Sequence, residues 1–306
     1  MQERAGVREL IEPIGQRILR DHMPDQHRAF FEMLPTLFIG LLDDERRPWA
    51  SVIGGEAGFV TSPGPKTLAV AGLPALGDPA RALVAAGAPI GILGIQPATR
   101  RRNRANGTIR RADETGFVVS VDQSFGNCPK YIQARSPEAA IVGATAVTTW
   151  AEGARLGEPA CEIIRAADTF FIASASRLAM AGDPVEGVDV SHRGGKPGFV
   201  RVQHDADGTE LSWPDFTGNS LYNTLGNLST HPKAGLLFVD FSSGTLLTIT
   251  CDQAVIDWDS AEVGRFEGAE RLVRVRVVGG ARIENGLPLR WSAPQQAREL
   301  GKTGSW

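Results

Sequence analysis

Apolar positions along the chain recur first with a helical period and then with the period of strands. Residues 8–20 place apolar side chains on one side of a helix, which predicts an amphipathic helix. A second helix is predicted from Asp25, a suitable cap, to about Met33, before Pro35. The next run, TLFIGLL (36–42), is too short and too apolar for a surface helix and predicts a buried strand. A polar turn over 43–48 and a second apolar run over 49–53 complete a predicted hairpin.

Further short strands follow at close spacing. In the first half they are predicted over 58–61, 67–71, 89–95, 108–111 and 117–122, and in the second half over 169–175, 188–191, 199–203, 210–213, 235–240, 245–256 and 272–277. A short helix is predicted over 78–86, and 136–167 is predicted to be a helical connector containing a helix at 159–166. The chain has 35 glycines and 19 prolines, which suit turns between strands better than long helices. The predicted fold class is therefore mainly β, with peripheral helices.

Three landmarks occur twice, in the same order. GGEAGFV (54–60) matches GGKPGFV (194–200) at five of seven positions, PTLFI (35–39) parallels DTFFI (168–172), and GILGI (91–95) parallels GLLFV (235–239). Such ordered matches with near-equal gaps indicate a duplicated β-domain. We predict a first repeat over 1–135, the connector over 136–167 and a second repeat over 168–306. The repeats should pack on one another as a homodimer would, with a ligand site at their seam. After duplication, only one of the two equivalent sites need survive.

Charge and cysteine usage narrow the functional classes. The formal net charge is −3 over 306 residues, which gives no indication of non-specific nucleic-acid binding. The one basic run, Arg100–Arg102 with Arg104, is interpreted as a solvated strand edge or loop. No apolar run approaches the roughly 18 residues of a membrane helix, and charges within the first twenty residues argue against a secretory signal. Three scattered cysteines form no disulfide framework or zinc motif, so a cytoplasmic location is expected.

Two polar segments of the second half could bind an anion. Residues 213–228 predict a strand end, a turn rich in small polar residues and a short helix before Pro232, an arrangement that exposes backbone N–H groups. An ordinary capped helix is the alternative. SHRGG (191–195) places His192 and Arg193 beside a glycine pair, where they could hold a phosphate or a ring edge, or simply form a surface turn. The first half has VIGG (52–55) at the matching place, so this polar pair occurs only once.

Other chemistry finds little support. Cys128, in SFGNCPKYI (124–132), has no general base nearby in sequence and is expected to be inert as a nucleophile, whereas Lys130 could place a charge near a cofactor. The remaining histidines lack metal-ligand spacing, so no metal site is expected. No GxGxxG opens a βαβ unit and no GxSxG elbow is present, which disfavours a nicotinamide-binding Rossmann domain and a hydrolase.

Several motifs together resemble a known family. PDFTGN (214–219), NTLGN (223–227), HPKAGLLF (231–238), FGNCPKYI (125–132) and RPWAS (47–51) are similar to flavin-nucleotide-binding proteins related to pyridoxamine 5'-phosphate oxidase. The resemblance covers about 30–278 and implies tandem split β-barrels that bind FMN at a dimer-type interface, here as an intrachain pseudo-dimer. One departure is that the oxidase has a Ser-Arg-Lys run for the FMN phosphate where this chain has YNT (222–224). Arg193, Lys196 or an arginine of the other half would have to replace those cations, and vitamin B6 oxidation is not the leading hypothesis.

The leading hypothesis is an FMN-dependent oxidoreductase with a small-molecule substrate. Electrons would come from NAD(P)H or a partner reductase; nucleic acid and membrane are not expected partners, and a homodimer stays open. The expected cofactor-binding residues are Cys128, Lys130, Tyr131, Ser191, His192, Arg193, Trp213, Asp215, Asn219, Asn223, Thr224 and Asn227. The alternatives are a split barrel that binds deazaflavin or haem, with His192 as the axial ligand, and a non-catalytic flavin carrier or sensor.

Overall fold

The computed structural model describes residues 1–126, 128–138, 146–183 and 185–306. Four α-helices lie in this part of the chain: α1 (Arg8–Ile18), α2 (Asp25–Glu32), α3 (Glu158–Ala166) and α4 (Asn223–Thr230). The strands of the first half are β1 (Thr36–Leu42), β2 (Pro48–Gly54), β3 (Val60–Gly64), β4 (Thr67–Val70), β5 (Pro89–Gln96), β6 (Arg101–Asp113) and β7 (Gly116–Gly126). Those that follow are β8 (Thr148–Glu152), β9 (Thr169–Ala175), β10 (Val188–Gly194), β11 (Arg201–Asp205), β12 (Gly208–Phe216), β13 (Ala234–Asp240), β14 (Thr245–Asp257) and β15 (Ala269–Glu284). Short 3₁₀ helices occupy Pro79–Leu83, Pro97–Thr99, Ala261–Arg265 and Arg298–Lys302.

Two antiparallel sheets share one strand order. The first runs β2-β1-β5-β6-β7-β4-β3 and the second runs β10-β9-β13-β14-β15-β12-β11, with β8 added beside β15. Each strand of the first sheet therefore has a counterpart at the same place in the second, and α2 and α3 directly precede the counterpart strands β1 and β9. The fold is mainly β and consists of tandem split-barrel repeats, as the ordered sequence matches predict.

The uninterrupted apolar strands are those buried on both faces. In β1, Leu37 and Ile39 pack into the core of the first sheet, while Phe38 points the other way into a core between the two sheets. In β9, Ile172 faces the core of the second sheet and Phe171 faces the shared core. Because successive side chains of a strand alternate between its faces, a strand covered on both sides needs apolar residues throughout.

Equivalent residues meet across the seam between the repeats. Phe38 and Phe171 hold matching positions in β1 and β9, and their rings stack with centroids 3.6 Å apart. A Cβ added to Gly91 would lie 2.7 Å from the carbonyl oxygen of Val188, and one added to Gly235 would lie 2.5 Å from that of Pro48. These are counterpart contacts, β5 on β10 and β13 on β2. A surface that contacts its own copy is the mark of a two-fold interface, so the chain forms an intrachain pseudo-dimer.

The predicted elements are found, but several differ in type or extent; β15, for example, ends seven residues after its predicted end. The helix expected over 78–86 is a 3₁₀ helix, although Asp78 caps it by accepting a hydrogen bond from the Ala80 amide at 2.8 Å. Strand β6 begins at Arg101, seven residues before the predicted start. Within 136–167, α3 lies where a helix was expected but β8 is a strand, whose Thr148, Thr149 and Trp150 have side chains that favour strands.

Parts of two sequence predictions fall outside the described residues: 139–145 of the connector, and Asn127 of the FGNCPKYI motif. The division at 135/136 and 167/168 stays a prediction. None of the helices in the described ranges combines the length and the apolar character needed to cross a membrane.

Candidate functional site

An open cavity lies at the seam between the two repeats. Its empty space, counted out to the mouth and including open solvent, is about 830 Å³. The first repeat supplies β6 and the segment after β7. The second supplies β10, the end of β12, the loop that follows it and the first turn of α4. Both repeats are therefore needed to form the walls.

Ten of the twelve sequence-predicted site residues line this one cavity. They are Cys128, Lys130, Tyr131, Ser191, His192, Arg193, Asp215, Asn219, Asn223 and Thr224. The other two lie elsewhere. Trp213 is 1% exposed in the core of the second sheet, against the Phe170 ring at 5.2 Å. Asn227 lies in a neighbouring depression, where its amide nitrogen donates to the Ser174 hydroxyl at 3.1 Å. The binding role of these residues stays a prediction.

Arg102 and Arg104 are site residues that the sequence interpretation missed. It assigned the basic run to a solvated edge or loop, but β6 pairs with both β5 and β7 here and brings both side chains to the cavity wall. The alternation of Arg102 and Arg104 with Asn103 was the available signal, because residues two apart in a strand share a face. Arg101 faces away, with its guanidinium over the Phe30 ring at 5.0 Å.

Arg102 is a partly buried cation without an acidic partner. Its Nε donates to the Cys128 carbonyl oxygen at 2.7 Å and its Nη1 donates to His192 Nδ1 at 3.3 Å. Within the described residues it forms no ion pair with a carboxylate. Burial and the nearby Arg104 and Arg193 lower the pKa of Arg102 to about 9, so the guanidinium is still charged at pH 7.

Arg104 ties the two repeats together through a buried network. Its Nη1 donates to Asp189 Oδ2 at 2.7 Å, and its Nη2 donates to the Ser191 hydroxyl. The Ser191 hydroxyl also contacts the Thr224 hydroxyl at 2.7 Å, which connects β10 to the first turn of α4. Separating Arg104 from Asp189 would leave a buried charge without its partner, which is energetically costly. The network should therefore hold the side chains of the cavity wall in one arrangement.

His192 is neutral at pH 7. Burial, with the positive charges of Arg102, Arg193 and Arg135, holds its pKa well below 6.5. Because a guanidinium has only donors, the bond from Arg102 requires an unprotonated Nδ1 and assigns the single ring proton to Nε2.

Asp215 is the one carboxylate in the cavity wall among the described residues. Its oxygens lie 3.6 Å from Arg193 Nε and 3.5 Å from Arg271 Nε. Burial raises the pKa of Asp215, and the two guanidinium groups oppose that shift. Arg271, opposite Asp215 on β15, also pairs with Glu270 and is 1% exposed.

The loop between β12 and α4 lines the cavity, and α4 begins there. Ser220 and Tyr222 both adopt left-handed conformations, with φ of 58° and 59°, and Tyr222 precedes α4 without a side-chain cap. The first amides of a helix lack internal partners and carry the positive end of its dipole. The Tyr131 ring stacks on Phe216 at the end of β12, at 5.1 Å, and its hydroxyl donates to the Thr217 carbonyl of this loop at 3.2 Å.

The charges of the described wall residues do not balance. Four cations, Arg102, Arg104, Lys130 and Arg193, stand against two carboxylates, Asp215 and the buried Asp189 behind Arg104. The excess of two positive charges matches a phosphate monoester, which carries about −1.5 to −2 at pH 7.

The pseudo-two-fold axis generates a second position, and it is different in character. Strand registers make Val52 and Ile53 the counterparts of His192 and Arg193, and Leu246 and Thr248 the counterparts of Arg102 and Arg104. The place is filled by the segment after β15: a Cβ added to Gly54 would lie 2.8 Å from Leu287. The cationic pocket therefore exists once in the described chain.

Among the described residues, no group of three or more histidine, cysteine or acidic side chains could hold a metal ion. Cys161 lies 3.7 Å from His204 Nε2, but it is fully buried and burial raises its pKa, so it is not a nucleophile at neutral pH.

Comparison with known proteins identifies no family by sequence. No family model matches the chain, and no curated protein matches it. Similar solved structures include a protein described as a candidate pyridoxamine 5'-phosphate oxidase from Lactobacillus delbrueckii. It is 13% identical, with a TM-score of 0.31, over 44% of this chain and 98% of that chain.

Two further solved structures are similar over one repeat. HupZ from Group A Streptococcus is 13% identical, with a TM-score of 0.30, over 40% of this chain and 89% of its own. HutZ from Vibrio cholerae, described as a haem storage protein, is 13% identical, with a TM-score of 0.27, over 42% of this chain and 95% of its own. Likeness at this level says nothing about the ligand of this chain.

Proposed function

We propose that the seam cavity binds FMN and that the chain is a flavin-dependent oxidoreductase. The observation that carries the proposal is Arg102, a partly buried cation with no carboxylate partner within the described residues, in a wall with two excess positive charges. An unpaired buried charge is costly, so the wall is complementary to an anion that supplies the missing partner.

The residues present fit a flavin phosphate. Arg102, Arg193, Lys130 and the uncapped start of α4 would hold the phosphate, which answers the absence of the Ser-Arg-Lys run: the cations come largely from the other repeat. The ring is proposed from the motif resemblance, with the Tyr131–Phe216 pair as an apolar wall. When bound, a flavin supplies hydride and electron transfer, and the protein supplies orientation and electrostatics. A small-molecule substrate and an electron donor, NAD(P)H or a partner reductase, belong to the same proposal.

His192 is the histidine that could hold a haem in this cavity. The imidazole is neutral, which suits a ligand, but the Arg102 hydrogen bond assigns its proton to Nε2. Iron bound at Nε2 would move that proton to Nδ1, where an N–H would face the guanidinium donor. This arrangement disfavours His192 as an iron ligand, and flavin is the cofactor that we propose. A Soret band lost in His192→Ala protein would reverse the preference.

The test is a binding titration that separates phosphate from ring. Ligand-free protein is titrated with FMN and with riboflavin, which lacks the phosphate, and quenching of flavin fluorescence is measured. Arg102→Ala should weaken FMN roughly 10- to 100-fold, the effect of losing a charged hydrogen bond, and leave riboflavin unchanged. Arg101→Ala is the matched control, because its side chain points to the other face of β6.

Two results would reject the proposal: no FMN binding by the unmodified protein, or equal affinity for FMN and riboflavin. A flavoprotein that shows no turnover with NADH, NADPH or a panel of electron acceptors would instead be a carrier or sensor.

A further inference from the structure

Asp215 is buried in the cavity wall without a hydrogen bond. It is 7% exposed, and neither carboxylate oxygen accepts a hydrogen bond from a described residue. The two guanidinium nitrogens near it, at 3.6 and 3.5 Å, offset its charge without donating to it. Arg193 instead directs Nη1 to the His192 carbonyl at 3.2 Å, and Arg271 directs Nη2 to the Tyr222 hydroxyl at 3.5 Å.

Such a carboxylate lacks the hydrogen-bond donors that a buried carboxylate normally has. An ionised carboxyl group has about four lone-pair positions, and a buried one normally fills several of them. Charge neutralisation alone does not meet that requirement, because desolvated oxygens without donors forfeit the hydrogen bonds they made in water. The open side of Asp215 is the cavity, so the missing donors can come from a bound ligand.

We propose that Asp215 is a specificity-determining residue that accepts hydrogen bonds from N–H or O–H groups of the ligand. The inference rests on the proposed function and extends it. The cavity selects a molecule with a phosphate at one end and hydrogen-bond donors elsewhere, as a flavin phosphate has on its ring edge and its polyhydroxyl chain. A phosphate ester without donors would satisfy Arg102 but leave Asp215 unpaired.

A purely structural role makes a different prediction. If Asp215 only held Arg193 and Arg271 in place, neutralising it would disturb the phosphate-binding cations and weaken every anion alike. If it reads ligand donors, its removal would weaken FMN but not a bare phosphate.

The experiment compares Asp215→Asn with unmodified protein by calorimetry, using FMN and inorganic phosphate as separate probes. Asparagine keeps the shape and one acceptor but loses the charge. We expect FMN affinity to fall about 10-fold or more, the cost of a charged hydrogen bond, with phosphate affinity unchanged or stronger because a negative charge has been removed. Glu270→Gln is the matched control, since Glu270 also pairs with Arg271 but does not line the cavity.

A third probe distinguishes the two sources of donors. FMN methylated at ring N3 lacks the ring-edge N–H. If Asp215 accepts from that group, the methylated ligand binds unmodified protein weakly and Asp215→Asn makes no further difference. If the donors are chain hydroxyls, methylation has no effect and Asp215→Asn still weakens binding.

The outcomes separate this inference from the proposed function. Failure of FMN to bind unmodified protein ends both. FMN binding unchanged in Asp215→Asn, or an equal loss for FMN and phosphate, overturns the role of Asp215 and leaves FMN binding intact. Thermal melting of each variant confirms that the fold is retained.

Discussion

At the scale of the residue, His192 couples the cavity to acid stability. Its folded pKa lies well below 6.5, whereas in the unfolded chain it should lie near 6.5. As the pH falls below about 6.5, the unfolded state takes up a proton that the folded state refuses. Stability is therefore lost as the pH falls from the unfolded pKa to the folded one, by up to about 1.4 kcal/mol per pH unit for this group.

We expect His192→Gln to reduce this loss of stability at low pH. Glutamine can still accept the Arg102 hydrogen bond but binds no proton, so the free energy of unfolding should fall less between pH 7 and pH 5 than in unmodified protein. Urea unfolding at several pH values measures it. His27 and His231, whose pKa values are also lowered by burial, remain as a common background. His22→Gln, at the surface, is the control, and an identical pH slope in both variants would contradict the assignment.

The site residues differ in whether the sequence around them indicates their place in the site. His192 and Arg193 stand out in sequence because their counterparts in the first repeat are the apolar residues Val52 and Ile53. Arg102 and Arg104 do not, because a run of arginines gives no sign that flanking strands will bury it. Trp213 was expected at the cavity because it begins the polar segment 213–228, but its side chain lies in the core of the second sheet, two residues before Asp215, which does line the cavity.

At the scale of the element, the close approach of β5 to β10 and of β13 to β2 depends on glycine. Gly91→Ala would place a methyl group 2.7 Å from the Val188 oxygen, and Gly235→Ala would place one 2.5 Å from the Pro48 oxygen. Backbone cannot move aside as a flexible side chain can. Each substitution should lower the free energy of unfolding by about 1–3 kcal/mol, which urea denaturation would measure.

The Gly91→Ala and Gly235→Ala variants should differ in their affinity for FMN. β10 carries Asp189, Ser191 and His192, so Gly91→Ala should also weaken FMN, whereas Gly235→Ala presses on β2 and should not. Gly187→Ala, with no atom within 4 Å of the added Cβ, is the neutral control. Equal effects of both seam variants on FMN would show that β10 is not the element that transmits the strain.

Strands could be predicted from the sequence where both of their faces are buried. They were harder to predict where pairing with neighbouring strands determines whether a strand forms. β1 and β9 are buried throughout and mostly apolar because two cores cover them, and this composition can be read from the sequence. The polar start of β6 is a strand only because β5 and β7 supply hydrogen bonds on both sides. β8 forms by pairing with the edge of β15 near its end. The local sequence of β8 does not indicate that this edge is available.

At the scale of the whole molecule, duplication provides two equivalent positions and the sequence has diverged to use one. The repeat was detectable because it preserves glycines at the seam and apolar strands around it, both fixed by packing. Which position survived was partly detectable, through His192 and Arg193. The sequence does not show that the other position is filled, because the segment after β15 reaches that position only in the folded chain.

This asymmetry sets the binding stoichiometry. A true homodimer of split barrels has two equal sites, whereas here one position has the cations and the open space, and its counterpart has Val52 and Leu246 packed against Leu287 and Leu289. Burying a phosphate among those side chains would cost far more than it could regain, because they are apolar and carry no hydrogen-bond donor or positive charge. We therefore expect saturation at one FMN per chain, measured by calorimetry and by flavin absorbance after gel filtration. Arg102→Ala should lower the affinity of all the bound FMN rather than of half of it. A stoichiometry of two would mean that the segment after β15 leaves its place in solution, and that the seam has two working faces.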